Sequence, residues 1–203
     1  MMHKPLRRLV AATVCAAVMT LAPARVVGAG DTFKRSTELS KEASKTSEDV
    51  NRYVTQLDKT EKALYLVGQA PSKVLKKRYE SFSKELTKLE AAQKHATADI
   101  DHMQSEGAEY FGAWDTSIGK ISNPELQQAS AERRSRTMKE FDDLTASLSD
   151  ADSQLPVFMS ELLDLKTFME TDLSAESVSK ADGMILKSQS DSQALESELR
   201  TCK

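Results

Sequence analysis

His95, Asp99 and His102 come nearest, by type and spacing, to metal chemistry. On a helix, intervals of four and three lay two imidazoles and a carboxylate along one flank. Those are ligands that a divalent transition metal takes. Di-metal sites in helical bundles need a carboxylate-x-x-His motif on each of two helices, with inward glutamates from the others. Here the motif occurs once, and the third histidine is His3 at the N-terminus. The three positions also flank an apolar seam instead of forming it. We therefore expect a solvated polar flank, with no metal and no cofactor. Enzymes of the nucleophilic or acid–base kind need groups that converge on a pocket. No such set is legible, so no catalytic residue and no small-molecule substrate is assigned, and the chain reads as a non-enzyme.

Binding chemistry has three further candidates. Lys73, Lys76, Lys77 and Arg78 form one basic cluster, and Arg133, Arg134, Arg136 and Lys139 another. Glu140, Asp142 and Asp143 lie close to the second, so i,i+4 pairing on a solvated helix face is expected. Tyr110, Phe111 and Trp114 are the densest aromatic cluster and the candidate interaction tip. Tyr110 and Trp114 fall on the seam, which argues for core. Phe111 falls off it and is expected to be the exposed member. Cys202 is the candidate for an intermolecular disulfide, and its expected state is a free thiol. Without a disulfide framework, stability must come from apolar packing.

The elements that hold these residues begin after an export signal. Lys4, Arg7 and Arg8 precede an apolar run from Leu9 to Ala22, with small residues after it. This is a secretory signal peptide over residues 1–29, cleaved after Ala24 or Ala29. The run is short for a membrane span, which takes ~20 apolar residues; retention as an anchor is the alternative. Removal takes four cations and no acid, leaving 24 basic against 31 acidic residues, a net −7. Such a domain repels nucleic acid and anionic lipid on average, which argues against polyanion binding as its main role and against nucleic acid as a partner.

Four heptad patterns follow. Leu39, Ala43, Thr46, Val50, Tyr53, Leu57, Thr60, Leu64 and Val67 alternate in steps of four and three, as in a coiled-coil seam. The threonines make that seam a mediocre one. Pro71 ends it and restarts the chain. A second pattern runs from Leu75 through Leu86, Ile100 and Met103 to Trp114, and a helix of that length spans ~75 Å. Gly107, Gly112 and Gly119 near its end either permit close helix contact or mark a bend. Ser122-Asn123-Pro124-Glu125 has the makings of a helix start. The third pattern runs from Leu126 through Phe141, Leu144 and Leu162 to Met169, and Pro156 should kink it without dividing it. Asp172 or Ser174 caps a serine-rich fourth helix with Val178, Ile185, Leu195 and Leu199 on its seam.

The expected helices are about 31–69, 72–121, 124–171 and 174–200, within one domain over 30–203. Short links make neighbours antiparallel. The fold class is therefore all-α, an elongated antiparallel coiled-coil-like bundle of three to four long helices. Part of the central hairpin is expected to project beyond the first helix, or to end level with it.

Phe111-x-x-Trp114-x-x-x-Ile118, then Ile121-Ser122-Asn123-x-x-Leu126-x-x-x-Ser130, then Thr137 and Phe141, resemble a bacterial family of exported helical proteins known only as a domain of unknown function. The resemblance spans the whole mature chain. It implies a periplasmic or envelope-associated helical protein and brings no catalytic residues. The serine-rich last helix and the spacing near Pro156 depart from that pattern.

These readings combine into an extracytoplasmic helical bundle that serves as a structural or protein-interaction module, through a protein partner or self-association. The alternative is a membrane-surface or envelope-binding protein that uses the aromatic tip or a basic face.

Overall fold

The computed structural model describes residues 30–201. The expected signal peptide, residues 1–29, and Cys202 lie outside the described residues. Four helices follow one another: α1 (Asp31–Gly68), α2 (Ser72–Ile118), α3 (Pro124–Thr171) and α4 (Ala175–Thr201). No strand occurs among the described residues. The fold is the all-α bundle that the heptads predict.

The helix ends have local causes. Gly68 closes α1, Ala70 N–H donates to the Val67 carbonyl (3.0 Å), and Pro71 opens the next helix. Asn123 Oδ1 accepts from the amides of Glu125 (3.0 Å) and Leu126 (3.2 Å), so Asn123 caps α3, with Pro124 in the first turn. Ser174 Oγ accepts from the Ser177 amide (3.1 Å) and caps α4. α2 stops at Ile118, three residues short of the sequence pattern. There Lys120 and Ile121 turn back onto the carbonyls of Ser117 and Ile118, which tightens the last turn and ends the α-ladder. Pro156 sits inside α3, which remains one helix. Pro156 is exposed, while Leu155, Phe158 and Met159 beside it stay buried.

The chain packs as two compact units. One takes, of the described residues, 30–49 and Thr97–Ser149; the other takes Val50–Ala96 and Asp150–Thr201. α1, α2 and α3 contribute to both. α4, at 27 residues, belongs to the second alone. The first unit is therefore three helix segments and the second is four.

In the first unit Leu39, Ile100, Met103 and Leu144 are buried; in the second, Tyr53, Leu57, Phe82, Leu86, Leu162 and Ile185 are. Every seam residue expected on α1 and on α4 is buried. The α3 seam differs. Leu126 is 63% exposed and Arg133 is exposed, and α3 first enters the core at Phe141. Before Phe141 its inward positions are short or polar, and no aliphatic stripe is there to bury.

Polar seam positions make specific bonds. Thr46 Oγ1 donates to the Asp99 carbonyl of α2 (3.0 Å) in the first unit, and Thr60 Oγ1 to the Glu85 carbonyl (3.2 Å) in the second. Each hydroxyl also lies within bonding distance of the carbonyl four residues back on α1. A helical carbonyl has a second lone pair for such a bond. At the start of α1, Thr32 Oγ1 reaches the Ala113 carbonyl (3.2 Å) and Ser117 Oγ (2.6 Å). α1 thus accompanies α2 into its last turn, and the two end level there. The projecting two-helix segment is not formed.

Leu86→Ala and Leu144→Ala should each cost ~2–5 kcal/mol, as deletions of fully packed side chains. His95 is exposed, so His95→Ala should change stability by less than ~0.5 kcal/mol. Urea unfolding followed by circular dichroism checks all three, and equal small losses would refute the packing register.

Candidate functional site

The aromatic end is built by α2 and α3 in the first unit. Tyr110 lies 5.0 Å from Phe111 and 5.5 Å from Trp114, ring centre to ring centre. α3 supplies the cover. Phe141 sits 5.7 Å from Phe111, and the Arg134 guanidinium lies over the Phe111 ring at 5.5 Å. Phe111 is consequently buried, against the expectation from its register. The heptad describes one seam, and Phe111 packs on a second one, toward α3. Tyr110 is buried as expected. Trp114 is half-buried. Its Nε1–H donates to Ser130 Oγ (3.1 Å), and the Arg133 guanidinium lies 5.8 Å from its ring centre. Of the three-residue tip, Trp114 alone keeps substantial exposure, and α3 holds it in place.

Gly107 makes this packing fit. A Cβ there would collide with the Phe141 ring, whereas one at Gly112 would meet nothing within 4 Å. Close approach is thus the role of Gly107, and Gly112 has no packing role. An open groove of about 600 Å³ between α2 and α3 is lined by Phe111, Met138, Phe141 and Arg134. Arg134 also pairs with Asp115 (2.6 Å).

The metal-like spacing resolves into an ion network between α1 and α2. Lys45 Nζ donates to Asp99 Oδ1 (2.5 Å) and to Glu42 Oε1 (3.2 Å), and His102 Nδ1 lies 3.2 Å from the same Glu42 oxygen. The Asp99 and Glu42 hydrogen bonds raise the Lys45 pKa. The Lys45 ammonium therefore stands where a cation would bind. His95 is exposed and takes no part. Among the described residues no group of three or more His, Cys, Asp or Glu is placed to hold a metal ion.

The second unit holds a buried acid that the seam analysis passed over. Glu61 of α1 accepts from Ser188 Oγ of α4 (2.8 Å), and its Oε2 has no hydrogen-bond partner among the described residues. Burial pushes the Glu61 carboxyl up to about 7. The Ser188 bond opposes the rise, and the charges of Asp191 and Glu196 add to it. The Tyr53 hydroxyl is also buried without a partner, and burial raises its pKa. The signal that could have found this pair was the serine on the α4 seam. A second open groove, about 330 Å³, lies between α3 and α4 and is lined by Val157, Phe158, Glu161, Lys187 and Leu195.

The two basic clusters diverge. On α3, Arg133 and Arg134 cover aromatic rings and Lys139 pairs with Asp143 (2.5 Å). On α2, Lys73, Lys76, Lys77 and Arg78 are exposed, and none has an ion-pair partner among the described residues. No helix of the described residues is long and apolar enough to cross a membrane.

Antiparallel helices with interhelical polar bonds and open surface grooves define a helical-bundle protein. The chain belongs to the family described as "Protein of unknown function (DUF2959)", which matches it over residues 34–202. No curated protein and no solved structure matches it.

Two outcomes test these sites. Gly112→Ala should stabilise by ~1 kcal/mol, the ordinary helix gain. Gly107→Ala should destabilise instead, and pairing it with Phe141→Ala should recover the ordinary sign; thermal melts of the four variants decide. Glu61 carries a pH signature. Its folded value of about 7 lies above the unfolded value near 4.5. Its contribution is therefore complete below pH 4.5 and declines as pH rises through 7. The loss amounts to at most roughly 3 kcal/mol. Glu61→Gln should flatten the profile: stability near wild type in acid, higher than wild type at alkaline pH, read from urea midpoints.

Proposed function

We propose that this protein is an extracytoplasmic helical bundle that acts as a structural or protein-interaction module and performs no catalysis. The observation that supports this most is the use of its buried polar groups. Thr46, Thr60, Glu61 and Gln56 each bond to a neighbouring helix: to Asp99, Glu85, Ser188 and Glu85 respectively. Buried hydrogen-bonding groups that join one helix to another set register and partner choice. The Asp99 and His102 flank is occupied by Lys45 and Glu42. Surfaces open to recognition include the two grooves and the exposed edge of Trp114. Export is supported by the signal-peptide pattern of residues 1–29. In the envelope, such a module meets its partner through these grooves or through a second copy of itself.

Two measurements test the reading. Full-length tagged protein, expressed in a bacterium with an outer membrane, should appear in the osmotic-shock fluid, with a mature N-terminus at Arg25 or Gly30. Uncleaved protein confined to the cytoplasm would refute export. Size exclusion with light scattering, with and without reductant, should yield one defined species. A defined oligomer that reductant dissociates would assign Cys202 as its linker.

A further inference from the structure

The chain through the turn from α1 into α2 carries one sign of charge, with Asp182 of α4 beside Gly68 as an acid brought in from another helix. From Lys62 to Tyr79 the sequence holds five cations, Lys62, Lys73, Lys76, Lys77 and Arg78, and no carboxylate. This occurs in a chain whose net charge is −3. Lys62 is paired with Asp58 (2.6 Å). The other four are exposed and have no ion-pair partner among the described residues. Glu170, a nearby acid at the end of α3 in the same unit, is 3.2 Å from Lys166. Several cations on helix faces elsewhere in the chain pair: Lys139 with Asp143, Lys180 with Glu176, and Lys187 with Glu161 and Asp191. Lys41, Lys84 and Lys94 are unpaired among the described residues as well, so what is particular to this corner is four exposed cations within six residues and no carboxylate between Lys62 and Tyr79.

Large apolar side chains are exposed at the same corner. Tyr65 is 45% exposed, Leu66 41% and Val74 39%. They bracket the turn at Gly68–Pro71, and the cations begin two residues after it. Exposed apolar groups rimmed by charge mark an interaction surface. Unpaired lysines alternating with apolar groups match an anionic interface with an apolar layer beneath it. An acidic protein surface would satisfy the cations and leave Tyr65, Leu66 and Val74 without a matching layer.

We propose that the α1–α2 corner docks onto an anionic phospholipid bilayer. Lys73, Lys76, Lys77 and Arg78 contact headgroup phosphates, and Leu66 and Val74 enter the interface between them. The contact is peripheral and salt-sensitive, because exposed charges are screened by salt. The inference goes beyond the module reading and holds on whichever side of a membrane the bundle lies.

Co-sedimentation with vesicles tests it. The protein should begin at Gly30, which keeps every described helix and removes the apolar run that would itself partition into lipid. It should pellet with phosphatidylglycerol-containing vesicles, stay in solution with pure phosphatidylcholine, and be released by high salt. K73E/K77E should lower the partition coefficient by roughly tenfold or more. R136E/K139E, the same change of charge on the other basic cluster, should leave it within about twofold of the starting protein. Circular dichroism establishes that each variant is folded; should K73E/K77E unfold, K73Q/K77Q replaces it and should still weaken binding. Equal pelleting with neutral vesicles, no pelleting with anionic ones, or equal losses in the two charge-reversal variants would each overturn the proposal.

Discussion

Two threonine hydroxyls set how α1 lies on α2. Thr46 bonds to the Asp99 carbonyl and Thr60 to the Glu85 carbonyl, one in each unit. Thr46 and Thr60 are two heptads apart on α1, and their acceptors are two heptads apart on α2. A leucine seam tolerates sliding, because apolar contact has no direction. A hydroxyl seated against one particular carbonyl of the next helix tolerates it less, because a displacement of one turn removes that bond and leaves the hydroxyl only the carbonyl four residues back on its own helix. Gln56 adds two more bonds to Glu85, and the Lys45–Asp99 pair flanks Thr46. Polar positions that weaken the seam by hydrophobic count are thus the ones that specify its register.

Once α1 and α2 are in register, the rest of each unit follows from what α3 and α4 bring. In the first unit α3 arrives with Phe141, and the absence of a side chain on Gly107 gives that ring its place. The Phe141 ring, with Arg134, then covers Phe111. In the second unit α4 brings a seam of small and aliphatic residues, with Ser188 opposite Glu61. A carboxyl in that position is held toward its protonated form by burial, so the interior of this unit carries a charge-sensitive contact.

Chemistry that looks suggestive on paper takes a different form in three dimensions. Asp99 and His102 carry metal-ligand spacing, yet Lys45 reaches across from α1 and neutralises Asp99. Arg133 and Arg134, read as half of a basic face, lie on aromatic rings. Helix-face charges are therefore informative only after their partners from other helices are known. By that test the cations after Pro71 remain unaccounted for by the fold, and those after Glu132 are largely absorbed by it.

Periodicity alone determined a great deal here. The four helices, their turns at Pro71, Asn123 and Ser174, the buried seams of α1 and α4, and the continuity of α3 through Pro156 are all consequences of local rules. Capping, proline geometry and the 3.6-residue repeat act within a few residues of chain. Membership of a family of unknown function was also legible. Tertiary structure decided what lies off the principal seam. Phe111 is buried because a ring from α3, 30 residues on, covers it. Leu126, a seam position by its spacing, is 63% exposed. Glu61 became a buried acid because a helix more than a hundred residues later packs over it. A heptad reports which face of a helix is apolar. Which other faces are covered depends on partners distant in sequence, and no local pattern encodes them.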